Sequence, residues 1–254
     1  MFKKLFLFGG SAISAYCLCT ETNLSEHFQT SFSITQDILK DVKKWNSNWD
    51  LPDNNNNSAK SKATRNIILI RHGQYNFREN DDDCKLTLLG REQADHTGIR
   101  LKELGIEYDA LIHSTMTRAI ETANIISKCI PSIKIQVDSD LAEGTPFVNE
   151  PELPYWNIPE SVIREDHLRI EKAFRKYFHR APPTQSKDSF EILVCHANVI
   201  RYMVCRALQF PPEGWIRFSL DHASITWVSI RPNGYITVRS IGNSGHMPSE
   251  IVTV

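Results

Sequence analysis

The chain has 254 residues, 41% hydrophobic and 23% charged, an ordinary globular composition with enough apolar material for a full core. That length suits one large domain plus a tail, or two small domains. Its 29 Lys and Arg against 30 Asp and Glu give a formal net charge of −1, which supplies no electrostatic footprint for nucleic acid.

At the amino end, Lys3 and Lys4 precede an apolar run from Leu5 to Cys19, and no acid appears before Glu21. At the helical rise this run falls short of a ~30 Å hydrocarbon core. Residues 1–20 therefore read as a membrane anchor, a cleaved secretory signal or an organelle-targeting signal. Further on, Ile34, Ile38, Leu39 and Val42 recur at helical spacing and predict a short amphipathic helix. Trp45-Asn46-Ser47-Asn48-Trp49-Asp50 follows, then Pro52 and the polar, turn-prone run Asn54–Asn57. Residues 21–63 are read as a linker carrying the 45–50 motif, with 51–63 its loosest part.

The compact domain is expected over 64–254. Ile67-Ile68-Leu69-Ile70 is a continuous apolar run that fits a strand buried on both faces of a parallel sheet. Residues 88–104 carry Leu88, Leu89, Ala94, Leu101 and Leu104 at helical spacing, with Thr87 a candidate cap. A strand at Ala110-Leu111-Ile112 leads through Ser114-Thr115-Met116-Thr117 into a helix over 118–129. Phe190–Cys195 reads as a second buried strand, followed at once by His196-Ala197-Asn198 and a helix to Leu208. Ser224–Arg231 and Tyr235–Ile241, joined by Pro232-Asn233-Gly234, read as a hairpin. Alternating strands and helices imply an α/β fold: a three-layer sandwich, mostly parallel, with helices on both faces. The six cysteines have no zinc-like spacing, and Cys195 and Cys205 sit in apolar runs as buried free thiols.

In such sheets ligands gather outside the carboxyl ends of the strands. Arg71-His72-Gly73 ends the first strand, Arg118 stands in the first turn of the helix after Ile112, and His196 ends the Phe190–Cys195 strand. Two arginines and two histidines on one rim suit a phosphoryl group, because arginine grips phosphate oxygens bidentately and stays charged. Taken singly, each has a plainer reading: a structural histidine at a strand end, or a surface salt-bridge arginine. The functional reading rests on their conjunction.

The segments Leu69–Gly73, Leu86–Ala94, Ser114–Ala123, Leu141-Ala142-Glu143-Gly144 and Cys195–Asn198 resemble, in order, the motifs of the histidine phosphatase, or phosphoglycerate mutase-like, superfamily. The similarity covers about residues 64–242. The run from Cys195 through Trp215 and the Ser224-Ile225-Thr226 strand resemble a mitochondrial branch whose members act as serine/threonine protein phosphatases. The resemblance implies a phosphoglycerate mutase-like fold. It makes His72 the phosphate-accepting nucleophile with its second ring nitrogen on a main-chain carbonyl. Arg71, Arg118 and His196 become phosphate ligands, His196 also counted as catalytic, and Glu143 the proton donor, with Asp140 a backup. It implies no metal and no cofactor.

The same resemblance reads Trp45, Asn48, Trp49 and Asp50 as an assembly and activation motif that docks on a second copy, giving a dimer or larger homo-oligomer. Asn46 and Ser47 replace an acid and a proline of the usual motif. A capping turn packed on its own domain is the alternative. Expected partners are phosphorylated proteins, further copies of the chain and, through the amino-terminal segment, a mitochondrial membrane. Gln74-Tyr75-Asn76 and the acidic run Glu79–Asp83 replace the stretch with which glycolytic mutases hold phosphoglycerate, which argues against mutase activity. A small-molecule phosphatase or mutase, and a membrane-tethered scaffold, remain the alternative functions.

Overall fold

A computed structural model describes residues 44–50 and 61–254. The expectations for residues 1–20, for the helix around Ile34–Val42 and for most of the 51–63 linker lie outside the described residues. Among the described residues no helix is long and apolar enough to cross a membrane.

Six strands form one sheet: β1 (Arg65–Arg71), β2 (Ala110–His113), β3 (Ile135–Val137), β4 (Ser189–Cys195), β5 (Ile225–Ile230) and β6 (Ile236–Asn243). Their order is β3-β2-β4-β1-β5-β6. The first four run parallel, and β5 and β6 add an antiparallel hairpin at one edge. Among the described residues four α-helices cover the sheet: α1 (Leu88–Glu103), α2 (Thr117–Cys129), α3 (Glu160–Tyr177) and α4 (Ala197–Ala207).

Side chains alternate across a strand, so an unbroken apolar run must be covered on both sides. Ile67, Leu69, Ile112, Leu193 and Cys195 face one way and pack with Ile170 and Phe174 of α3 and Val199 and Met203 of α4. Ile68, Ile70, Leu111, Ile192 and Val194 face the other way and pack with Leu101 of α1 and Ala119, Ala123 and Ile126 of α2. The three layers follow directly from that alternation. Thr87 caps α1 as expected, its Oγ1 accepting from the Gly90 N–H at 2.9 Å. Cys195 and Cys205 are buried free thiols.

Two elements have no counterpart in the sequence reading, α3 and β3. Packing begins one residue before the expected start, with Ala63 2% exposed. Residues 47–50 also join the domain. The Trp49 ring lies 5.9 Å from that of Phe174, and its Nε1 donates to the Gly234 carbonyl at 2.8 Å. Asp50 accepts from Arg180 Nη2 at 2.6 Å and from the Arg180 main-chain N–H at 2.7 Å. Gly234 has φ +81°, and a Cβ there would stand 2.3 Å from the Ser47 carbonyl oxygen. Glycine is required both by the turn and by the segment lying over it.

Candidate active site

The registers Arg71↔Cys195 and His113↔Val194 place the carboxyl ends of β1, β2 and β4 side by side. Arg71, His72, Ser114 and His196 therefore share one rim, and α2 starts three residues beyond Ser114 and brings Arg118 to it. The structure thus gathers the residues expected to surround a phosphoryl group.

His72 is 3% exposed. Its Nδ1 lies 2.9 Å from the Gly73 carbonyl oxygen. A carbonyl only accepts, so Nδ1 carries the proton and Nε2 presents a lone pair. Arg118 Nε donates to that Nε2 at 3.3 Å. Burial, then His196, then the arginine charges, push the His72 pKa well below its ordinary value, so the ring stays neutral. His196 is fully buried, with its ring centroid 5.1 Å from that of His72 and its Nε2 2.9 Å from Ser114 Oγ. Burial and the charge of Arg118 hold it neutral too. Its Nδ1 is buried without a hydrogen-bond partner, as is Nε of Arg71. Buried polar atoms rarely go unsatisfied, and two in the surroundings of the His72 ring suit a polar ligand.

Arg71 is anchored at its far end, donating Nη1 to the Leu220 carbonyl and lying with Nη2 3.1 Å from His222 Nε2. Burial lowers its pKa to about 10, opposed by the charge of Glu143, so it remains a cation at neutral pH. Glu143 sits in the loop after the short turn Ser139–Leu141. Burial raises its carboxyl pKa against the pull of Arg118 and Arg71, the direction a proton donor needs. Asp140 is placed differently, with its carboxylate 2.8 Å from Lys172 Nζ on α3.

Several participants were not anticipated. Asp81, from the acidic run, accepts from Arg118 Nη1 at 2.6 Å and from the Thr117 N–H at 3.1 Å. An anion thus already sits on one arginine and on the amino end of α2, the kind of place that binds phosphate. Tyr75 lies edge-on to His72 and under Arg118, whose Cζ is 4.7 Å from the ring centroid. Arg201 is close enough to Glu143 for their charges to interact. The acidic run was legible as a departure from the family pattern; its reach to Arg118 was not. Among the described residues no group of three or more His, Cys, Asp or Glu is arranged to hold a metal ion.

Residues 67–243 match the histidine phosphatase superfamily (branch 1). The chain is 54% identical over 198 residues to the Xenopus laevis "Serine/threonine-protein phosphatase PGAM5, mitochondrial", covering 78% of this chain and 72% of that protein. It is 53% identical to the Homo sapiens protein of the same name, over 76% of this chain and 68% of that one. The Caenorhabditis briggsae relative, also so named, is 42% identical over 99% of both chains. Among solved structures, a Plasmodium falciparum phosphoglycerate mutase superposes with TM-score 0.54 at 34% identity, covering 76% of this chain and 99% of that one.

Proposed function

This chain belongs to the histidine phosphatase superfamily, and from that premise we propose that it is a metal-independent serine/threonine protein phosphatase working through a phosphohistidine at His72. The observation that carries the proposal is the His72 ring itself: Nδ1 is tied to the Gly73 carbonyl, and Nε2 is therefore unprotonated and accepts from Arg118, the group that would turn to the phosphoryl oxygens when substrate binds.

In the first half-reaction Nε2 attacks phosphorus, the N–P bond forms and the P–O bond to the serine or threonine oxygen breaks. That alkoxide is a poor leaving group, so the proton on Glu143 goes to it as the bond breaks. In the second half, water attacks phosphorus and passes a proton to Glu143, and the N–P electron pair returns to Nε2. Arg71, Arg118 and His196 bind the phosphoryl oxygens, supplying from the protein the positive field that phosphoryl transfer needs. The His72 imidazole must be neutral to attack, and burial beside His196 and the arginines keeps it so.

The relatives' names support a mitochondrial location and phosphoprotein substrates. An attachment to a mitochondrial membrane through residues 1–20, with 21–63 a linker, belongs to the same proposal. So does activation by self-assembly through Trp45, Asn48, Trp49 and Asp50. The cis docking of Trp49 and Asp50 gives that segment a ready-made seat, which a second copy would fill by exchange. A chain beginning at Thr64 is expected to lose turnover and to run as a smaller species; unchanged turnover and mass would remove the assembly proposal.

The test of the chemistry is phosphate release from a phosphoserine peptide and from 2,3-bisphosphoglycerate, with and without EDTA. The proposal expects the peptide to be the better substrate and the chelator to leave its rate unchanged. Loss of activity in EDTA with recovery on zinc or magnesium would contradict it, as would preference for the bisphosphoglycerate.

A further inference from the structure

The Glu143 carboxyl is held by main-chain donors: it accepts from the adjacent Gly144 N–H at 3.1 Å and from the Asn198 N–H at the start of α4. Whether it can stay there depends on the path of the loop backbone from Asp140 to Thr145, and that path is fixed from the other side by α3. Arg169 Nη1 donates to the carbonyls of Asp140 at 3.2 Å and Ala142 at 2.5 Å. Its Nη2 donates to the carbonyl of Glu143 itself at 3.1 Å and to Asp166 Oδ1 at 2.6 Å. The other oxygen of Asp166 accepts from the Thr145 N–H at 2.8 Å. The Asp166 carboxylate also fills the space beside Gly144, where a Cβ would come within 2.4 Å of its carboxyl carbon.

An Asp–Arg pair spaced i,i+3 on a helix surface ordinarily contributes little. Here the planar guanidinium spreads its donors over three carbonyls of an irregular loop, a geometry that a lysine's point charge cannot reproduce. The Asp166 carboxylate takes the Thr145 N–H at the end of the same loop. Arg169 and Asp166 side chains are only 23% and 18% exposed.

We propose that Arg169 and Asp166 of α3 are positioning residues for proton donation by Glu143, holding the 140–145 backbone so that the carboxyl meets the leaving oxygen. This rests on the reading of Glu143 as the proton donor. It assigns the two residues no contact with substrate.

The assignment can be separated from a plain folding role by the leaving group. A phosphoserine peptide needs a proton on its departing alkoxide, whereas p-nitrophenyl phosphate releases a stable phenolate and needs little help. The experiment measures kcat and KM on both substrates for full-length wild type, Arg169→Met, Asp166→Asn and Glu143→Gln, with thermal melting as the check on folding. Glu143→Gln is expected to lose on the order of 100-fold in kcat on the peptide, and far less on the aryl ester. Arg169→Met is expected to lower the peptide-to-aryl ratio of kcat by about 10-fold or more, in kcat rather than KM, as misplacement of a catalytic group does. Asp166→Asn should shift the ratio in the same direction and serves if Arg169→Met fails to fold. If Glu143→Gln splits the substrates while both α3 variants lose equally on each, the positioning role is overturned and the proton donor stands. If Glu143→Gln itself shows no split, the underlying assignment of Glu143 falls, and the inference with it.

Discussion

The two ends of the central sheet handle charge in opposite ways. At the carboxyl end, Arg71, His72, Arg118, His196 and Glu143 are drawn out of water around a lone pair, and atoms of Arg71 and His196 go without partners. At the amino end, where Arg65 of β1 pairs with Ile230 and the β5–β6 turn begins, Asp50 and Arg180 close on each other through three hydrogen bonds. Trp49 seals that end against Phe174. The first arrangement costs stability and creates a site. The second is a satisfied contact that stabilises and leaves nothing over for a ligand. α3 runs between them, with Arg169 toward the acid loop and Phe174 under the tryptophan.

The widest separation between the two ends should come from His72→Ala. It is expected to lower kcat/KM on a phosphopeptide by on the order of 10⁴-fold or more, as removal of a nucleophile does elsewhere. Its melting temperature should hold or rise, because a desolvated imidazole has gone; a large fall would mean that His72 is chiefly structural. Arg118→Met should follow, with about 10²- to 10³-fold lost in kcat, the scale of one preorganised donor at a developing negative charge.

The pH dependence sharpens the same contrast. His72 and His196 resist the proton that the unfolded chain takes up near pH 6.5. The stability they allow is therefore full above that pH and falls as the solution is acidified. Glu143 has the opposite sign, since its raised pKa favours the folded state at low pH and that contribution fades as pH rises. In kcat/KM the acid limb should belong to His72 and the basic limb to Glu143, so Glu143→Gln should flatten the basic limb alone. A basic limb that survives in Glu143→Gln assigns it to another group.

At the amino end, Asp50→Ala should lower the melting temperature by roughly 4 °C, from about 1–2 kcal/mol of lost hydrogen bonding. His72 should still accept phosphate in that variant. The smallest effect is expected from Asp81→Asn. Without a carboxylate on Arg118 Nη1 and the Thr117 N–H, KM for an anionic substrate should fall by about 3-fold, from relief of one partly screened charge pair. A rise in KM would show that Asp81 helps substrate binding.

The strands and helices that form the candidate catalytic rim were legible in the sequence. An unbroken apolar run rich in β-branched residues, such as Ile67–Ile70, fits a doubly covered strand, and the residues after it then lie on the carboxyl rim. The β3 strand was not legible: three residues, all exposed, give no alternation to read. α3 left a signal that went unread, since Ile170, Ala173, Phe174 and Tyr177 recur at helical spacing and all four are buried. With α3 unread, Arg169 and Asp166 could not be connected to Glu143, because their role lies in contacts with the backbone of a distant loop. Asp81 was visible as an acid in an acidic run, but its meeting with Arg118 depends on how the loop folds over α2. The tryptophan segment was readable as a docking element, and its two candidate seats, another copy or its own domain, differ by nothing local in the sequence.

The most direct test of the account is to quench the protein during turnover of a ³²P-labelled phosphopeptide and locate the bound label. The account predicts phosphate that is labile in acid, stable in base, mapped to His72 and absent from His72→Ala. Label on a serine or carboxylate, or undiminished turnover by His72→Ala, would contradict it.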